Sequence, residues 1–111
     1  MRALVYLCLM MAFLVANSQE IFINEFMSSN NKFIFDEDNE DSDWIEIYNA
    51  STDTIWLANY CISDNVNKLT KWCFPDTTIR PGEFMLVFAS GKDRAKSGSE
   101  LHTNFKISAS G

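Results

Sequence analysis

Between Trp44 and Asn49 the chain alternates strictly. Ile45 and Ile47 fall on one side of an extended segment, and Trp44, Glu46 and Tyr48 fall on the other. An aliphatic face of that kind has to be covered by a second layer, and the rest of the sequence offers further short strands rather than amphipathic helices. The expected strands are Ile21 to Met27, Trp44 to Tyr48, Thr54 to Leu57, Tyr60 to Ser63, Lys71 to Phe74, Phe84 to Ala89 and Asn104 to Ile107. Turn-forming clusters separate them, among them Ser28-Ser29-Asn30-Asn31, Asn49-Ala50-Ser51, Ser63-Asp64-Asn65 and Ser97-Gly98-Ser99. In Arg80-Pro81-Gly82-Glu83, proline presets the first central dihedral and glycine accepts a positive second one, which predicts a type II turn. The segment it launches, Phe84-Met85-Leu86-Val87-Phe88, is apolar on both faces and reads as a central strand covered on both sides. The pattern predicts an all-β fold of the sandwich type.

The N-terminus is different in kind. Met1-Arg2 gives a positive start, Ala3 to Val15 is almost wholly apolar, and Ala16-Asn17-Ser18 supplies small residues where a signal peptidase reads. A span of the bilayer needs about 20 apolar residues. Residues 1–18 therefore read as a signal peptide, residues 19–111 as one exported domain, and no membrane span remains after the leader is removed. With 111 residues, 47% of them hydrophobic, the chain can bury a core. Its formal charge of −6 becomes more negative when Arg2 leaves with the leader. An acidic domain lacks the attraction that draws a protein to a phosphate backbone, so nucleic acid is not an expected partner. The local cations Lys92, Arg94 and Lys96 read as a solvated turn.

Cys8 leaves with the leader, and Cys61 and Cys73 remain as a pair bound for an oxidising compartment. Setting Cys61 opposite Cys73 on neighbouring antiparallel strands also sets Ile62 opposite Trp72 and Tyr60 opposite Phe74. A disulfide is expected there; the other reading is two separate thiols.

Taken in order, several segments resemble the lamin tail domain, above all its secreted bacterial representatives. They are Ile23-Asn24-Glu25-Phe26-Met27, Asp43-Trp44-Ile45-Glu46-Ile47-Tyr48-Asn49 and Leu57-Ala58-Asn59-Tyr60 with Ile62-Ser63-Asp64. Lys71-Trp72-Cys73-Phe74-Pro75, Ile79-Arg80-Pro81-Gly82 and Leu101-His102-Thr103-Asn104-Phe105-Lys106-Ile107-Ser108 follow. The resemblance implies an immunoglobulin-like β-sandwich without catalytic residues, used for adhesion, protein interaction or positioning of a neighbouring domain. The closing segments look most like the versions found ahead of CotH-type, kinase-like domains, so a downstream catalytic domain in a longer protein is an expectation. Members of the family usually continue beyond the Ser108–Gly111 stretch into further strands, and the chain is accordingly expected to be a fragment lacking the last of them.

Asp36, Asp38 and Glu40 alternate as oxygen donors do in calcium loops. The EF-hand template fails, with Asp41 where its glycine belongs and Ile47 where its glutamate belongs. The loop reads as solvated surface, with these three as weak calcium candidates and no resident cofactor. Glu25, Asp43, Glu46 and Asp64 have no spacing that would hold an acid–base pair and are expected to bond to turns. His102, the one histidine, is expected in a loop, and no nucleophile elbow is present. Trp44, Trp56 and Trp72 would form a carbohydrate platform if they lay exposed in a row. The functional expectation is thus an exported module with a protein or cell-surface partner, the alternative being a carbohydrate- or calcium-binding module. Asn49-Ala50-Ser51 also matches the glycosylation pattern, although the resemblance is to bacterial proteins.

Overall fold

The alternating segment at Trp44 becomes β3 (Trp44–Asn49), an inner strand of a four-stranded sheet. This computed structural model describes residues 5–9, 20–27 and 34–107. β3 pairs antiparallel with β2 (Ile21–Met27) on one side and with β8 (Phe84–Phe88) on the other. β8 in turn pairs in parallel with the short β9 (Leu101–His102). A second sheet sets β5 (Tyr60–Ser63) between β1 (Tyr6–Leu9) and β6 (Trp72–Cys73), both antiparallel to it. β4 (Ile55–Trp56) and β7 (Thr78–Ile79) form a two-stranded ribbon.

The two-residue period decides which side chains meet. Ile45 and Ile47 of β3 and Val87 of β8 are all fully enclosed, and they join Ile62, Trp72 and Phe74 of the opposite layer in one apolar core. Ile21, Leu57, Ile79, Phe105 and Ile107 complete it. Cys61 stands opposite Cys73, and the two form a disulfide across 12 positions of sequence. The register sets Ile62 opposite Trp72 as expected. In the turn ahead of β8, Gly82 has φ +72° and Glu83 N–H donates to the Arg80 carbonyl at 3.0 Å, which is the expected four-residue turn.

Several elements differ from the sequence reading. β8 is an inner strand, but only its inward side and its far end are covered: Phe84 is 52% exposed while Phe88 is 2% exposed. The expected strand Asn104 to Ile107 is reduced to a single bridge between Lys106 and Ser90. The paired residues are instead Leu101 and His102, because the Thr103 hydroxyl donates to the Phe105 carbonyl at 2.7 Å and bends the chain locally. His102 is therefore a fully buried strand residue rather than a loop residue. β1 lies inside the stretch read as a leader, and β7 carried no strand signal of its own. The predicted cleavage region and residues 108–111 fall outside the described residues.

Candidate functional site: a clasp of two charged loops and an aromatic row

The acidic loop is tied down by its own first residue. Asp36 Oδ1 accepts from the N–H groups of Asp38 (2.9 Å) and Glu40 (3.0 Å), and Oδ2 accepts from the Ser42 hydroxyl at 2.7 Å. These bonds curl residues 36–40 into a turn closed by Asp36 N–H donating to the Glu40 carbonyl at 2.8 Å. Asn39, at φ 61°, takes the left-handed position that asparagine tolerates. The loop is thus not simply solvated surface, since the Asp36 side chain is fully enclosed.

Its counter-charge comes from the turn after β8. Lys92 Nζ lies 2.7 Å from Asp36 Oδ2 and 2.8 Å from Asp38 Oδ2, and it also pairs with Glu40. The three carboxylates named as calcium candidates therefore surround an ammonium group. Arg94 extends the clasp, with Nη1 2.7 Å from Glu37 and Nη2 2.8 Å from Asp38. Lys92 and Arg94, read from sequence as a solvated turn, are committed to these carboxylates. Burial by itself would raise the Asp36 pKa, but the Lys92 ammonium, the Ser42 hydroxyl and the two backbone N–H groups outweigh it and hold the carboxyl far below the ordinary aspartate range. Burial likewise works against the charge on Lys92, and its three carboxylate partners more than reverse this, raising its pKa.

These shifts fix the sign of the pH dependence. Asp36 has a depressed folded pKa, so its contribution is complete above the ordinary aspartate value of about 3.9. It is lost progressively as pH falls below that value toward the folded one. Lys92 has a raised folded pKa, so its contribution is complete below about 10.4 and is lost as pH rises through the folded value. Urea midpoints should therefore hold steady from pH 5 to 8 and drop below about pH 4. In Asp36→Asn the drop should be smaller, and an equal drop would exclude Asp36 as its source.

A second network joins the two loops from beneath. Ser90 Oγ and His102 Nδ1 are 2.7 Å apart, His102 Nε2 and Glu100 Oε1 are 3.0 Å apart, and Glu37 N–H donates to the same Glu100 oxygen at 2.7 Å. His102 also stacks on Phe88, with ring centroids 5.4 Å apart. Serine, histidine and carboxylate stand in the order of a nucleophilic relay. Here, however, Ser90 is 8% exposed, its hydroxyl accepts the Lys92 N–H at 3.1 Å, and the histidine is fully buried. The relay pins the basic turn to β9 and the acidic loop. Spacing gave no sign of it, because the three residues come from a turn, a strand and the residue before that strand.

Two of the other carboxylates bond to side chains rather than to the turn backbones expected for them: Asp64 pairs with Lys71 at 2.8 Å, and Glu46 accepts from the Asn24 side-chain amide at 2.7 Å. Asn49 is fully buried, and its amide nitrogen donates to the carbonyls of Asp53 (2.8 Å) and Ile79 (3.0 Å). The glycosylation pattern thus marks a structural asparagine, whose nitrogen has no room for a sugar.

The tryptophans do not form a platform. Trp44 and Trp72 are buried, and Trp56 alone is exposed, its indole N–H donating to Asp76 at 2.6 Å. A different row occupies the outer face of the four-stranded sheet. Phe22 stands opposite Tyr48, and Tyr48 stands opposite Phe84. The Tyr48 and Phe84 rings stack with centroids 4.6 Å apart. Phe22 is 45% and Phe84 52% exposed, whereas the same face at Trp44 and Phe88 is closed over. Because the Tyr48 and Phe84 rings stack on one another, this pair presents an edge rather than flat faces to a ligand. Alternation placed Tyr48 on this face; its two neighbours required the strand register.

The profile of the Lamin Tail Domain matches residues 15–111. The chain belongs to that family of immunoglobulin-like β-sandwich modules, and the arrangement of its described residues in several sheets accords with it. No curated protein and no solved structure matches it. Among the described residues, no helix is long and apolar enough to cross a membrane.

Proposed function

We propose that the chain is a non-catalytic, exported interaction module that adheres to a protein or cell-surface partner, or positions a neighbouring domain, through one face of its sandwich. The aromatic row carries this reading. Phe22, Tyr48 and Phe84 hold apolar area in water on a sheet whose opposite face is the core, and exposed patches of that kind mark contact surfaces. Export is supported by the leader-like N-terminus and by the Cys61–Cys73 disulfide, which suits an oxidising compartment.

A photo-crosslinking residue at position 84 in exporting cells should trap a protein partner, while one at Val66, which is 59% exposed away from the row, should not. Equal trapping at both sites, or none at 84, contradicts the assignment. N-terminal sequencing of the exported product should begin at Gln19. The absence of catalysis has its own test: a fluorophosphonate should leave Ser90 unlabelled, and labelling that is lost in His102→Gln would establish a working nucleophile.

A further inference from the structure

The second sheet contains a strand that the export reading removes. β1 lies within residues 1–18, yet it is paired along the full length of β5, with Tyr6 opposite Ser63, Leu7 opposite Ile62, Cys8 opposite Cys61 and Leu9 opposite Tyr60. Its contacts extend beyond the backbone. Val5 and Leu7, two positions apart and hence on one side of the strand, pack against the core. On that side Leu7, Ile62 and Trp72 form one row across three strands, and Ile62 is fully enclosed between its neighbours.

The opposite edge of β5 is committed to β6 through the disulfide. Phe74 N–H donates to the Tyr60 carbonyl at 3.0 Å, so Tyr60 and Ile62 turn their backbone groups toward β6. By alternation, Cys61 and Ser63 turn theirs toward β1. Loss of β1 therefore uncovers the backbone groups of Cys61 and Ser63 and one flank of Ile62. Such an edge recruits an extended segment.

The geometry points to β5 as a strand-acceptor site for the leader strand itself, residues 5–9, which fills it in the precursor and rebinds it as a separate peptide after cleavage. The strand runs antiparallel to β5 and sets Val5 and Leu7, two residues apart, against the core. This inference rests on the reading that residues 1–18 are removed. The seat selects by shape and polarity: a charge at the position of Leu7 would be driven against Ile62.

The exported product is purified and its N-terminus sequenced. It is then titrated with a labelled peptide of residues 3–11 carrying Cys8→Ser and a lysine tail. A product starting at Gln19 should bind the peptide one to one, at least tenfold tighter than the same peptide with Leu7→Asp. Hydrogen exchange at Cys61 and Ser63 should be fast without peptide and slow with it. If the leaderless product is unfolded, the peptide should restore slow exchange at Ile47. A product that keeps Met1 overturns the export reading alone; the edge is then tested in full-length Leu7→Asp, where the wild-type peptide should bind and again slow Cys61 and Ser63. Either form left without peptide binding, or with Cys61 and Ser63 protected before peptide is added, overturns the acceptor site.

Discussion

Replacing Lys92 with methionine should lower the unfolding free energy by about 2–3 kcal/mol, below the roughly 3–5 kcal/mol seen when one partner of a fully buried ion pair is removed, because the Lys92 side chain is 20% exposed. The cost arises on the carboxylate side. Asp36 has a fully enclosed side chain, and without the ammonium its charge keeps only the Ser42 hydroxyl and two backbone N–H groups. Burial, which opposes ionisation of Asp36, then meets less resistance, so the acid branch of the stability profile should flatten in the variant. Lys92→Arg should recover part of the loss, since a longer, planar cation can still reach one or two of the three carboxylates. Calcium at millimolar concentration should leave the melting temperature of the wild type unchanged, because an ion bound only to the folded state must raise it. A calcium-dependent rise of several degrees would show that the ammonium yields its place.

Ile47→Ala should cost about 3–4 kcal/mol, from the lost transfer energy plus the cavity left in a layer that cannot close over it. Ile47 is fully buried, paired with Ile23 on β2 and Met85 on β8, and it belongs to the core cluster with Ile45, Ile62 and Val87, so the vacated volume opens inside packed apolar side chains. Val66→Ala, at a residue 59% exposed, should change stability by less than about 0.5 kcal/mol. Urea unfolding of the three proteins separates the two cases, and equal costs at 47 and 66 would mean that the inward face has been assigned to the wrong residues.

The parts of this fold that could be read from sequence are those governed by period and local chemistry. Ile45 and Ile47 announced their face by alternation, Arg80-Pro81-Gly82 announced its turn, and Cys61 and Cys73 announced each other because apolar residues paired on either side. What escaped depended on contacts between distant segments. Asp36 and Lys92 are 56 residues apart, and nothing local in either loop requires the other. Complementary sign was the available signal: four carboxylates within residues 36–40 and two cations at 92 and 94. His102 resembled a loop residue because a strand of two residues is too short to show a period. The aromatic row escaped for a related reason: Phe22, Tyr48 and Phe84 sit on three strands, and only register makes them neighbours. Trp44 shares the alternation of Tyr48 and differs in environment: it stands opposite the buried Phe88, which stacks on His102 of β9, whereas Tyr48 stands opposite the exposed Phe84.

The clasp is tested most directly by a double-mutant cycle on Asp36 and Lys92. Asp36→Asn keeps an oxygen to accept the N–H groups of Asp38 and Glu40, so the cycle isolates the charge interaction from the loop's own turn. The unfolding free energies of wild type, Asp36→Asn, Lys92→Met and the double variant should give a coupling of about 2 kcal/mol or more, with the double variant less damaged than the sum of the singles. Additivity within about 0.3 kcal/mol would mean that the two loops do not hold each other through this pair.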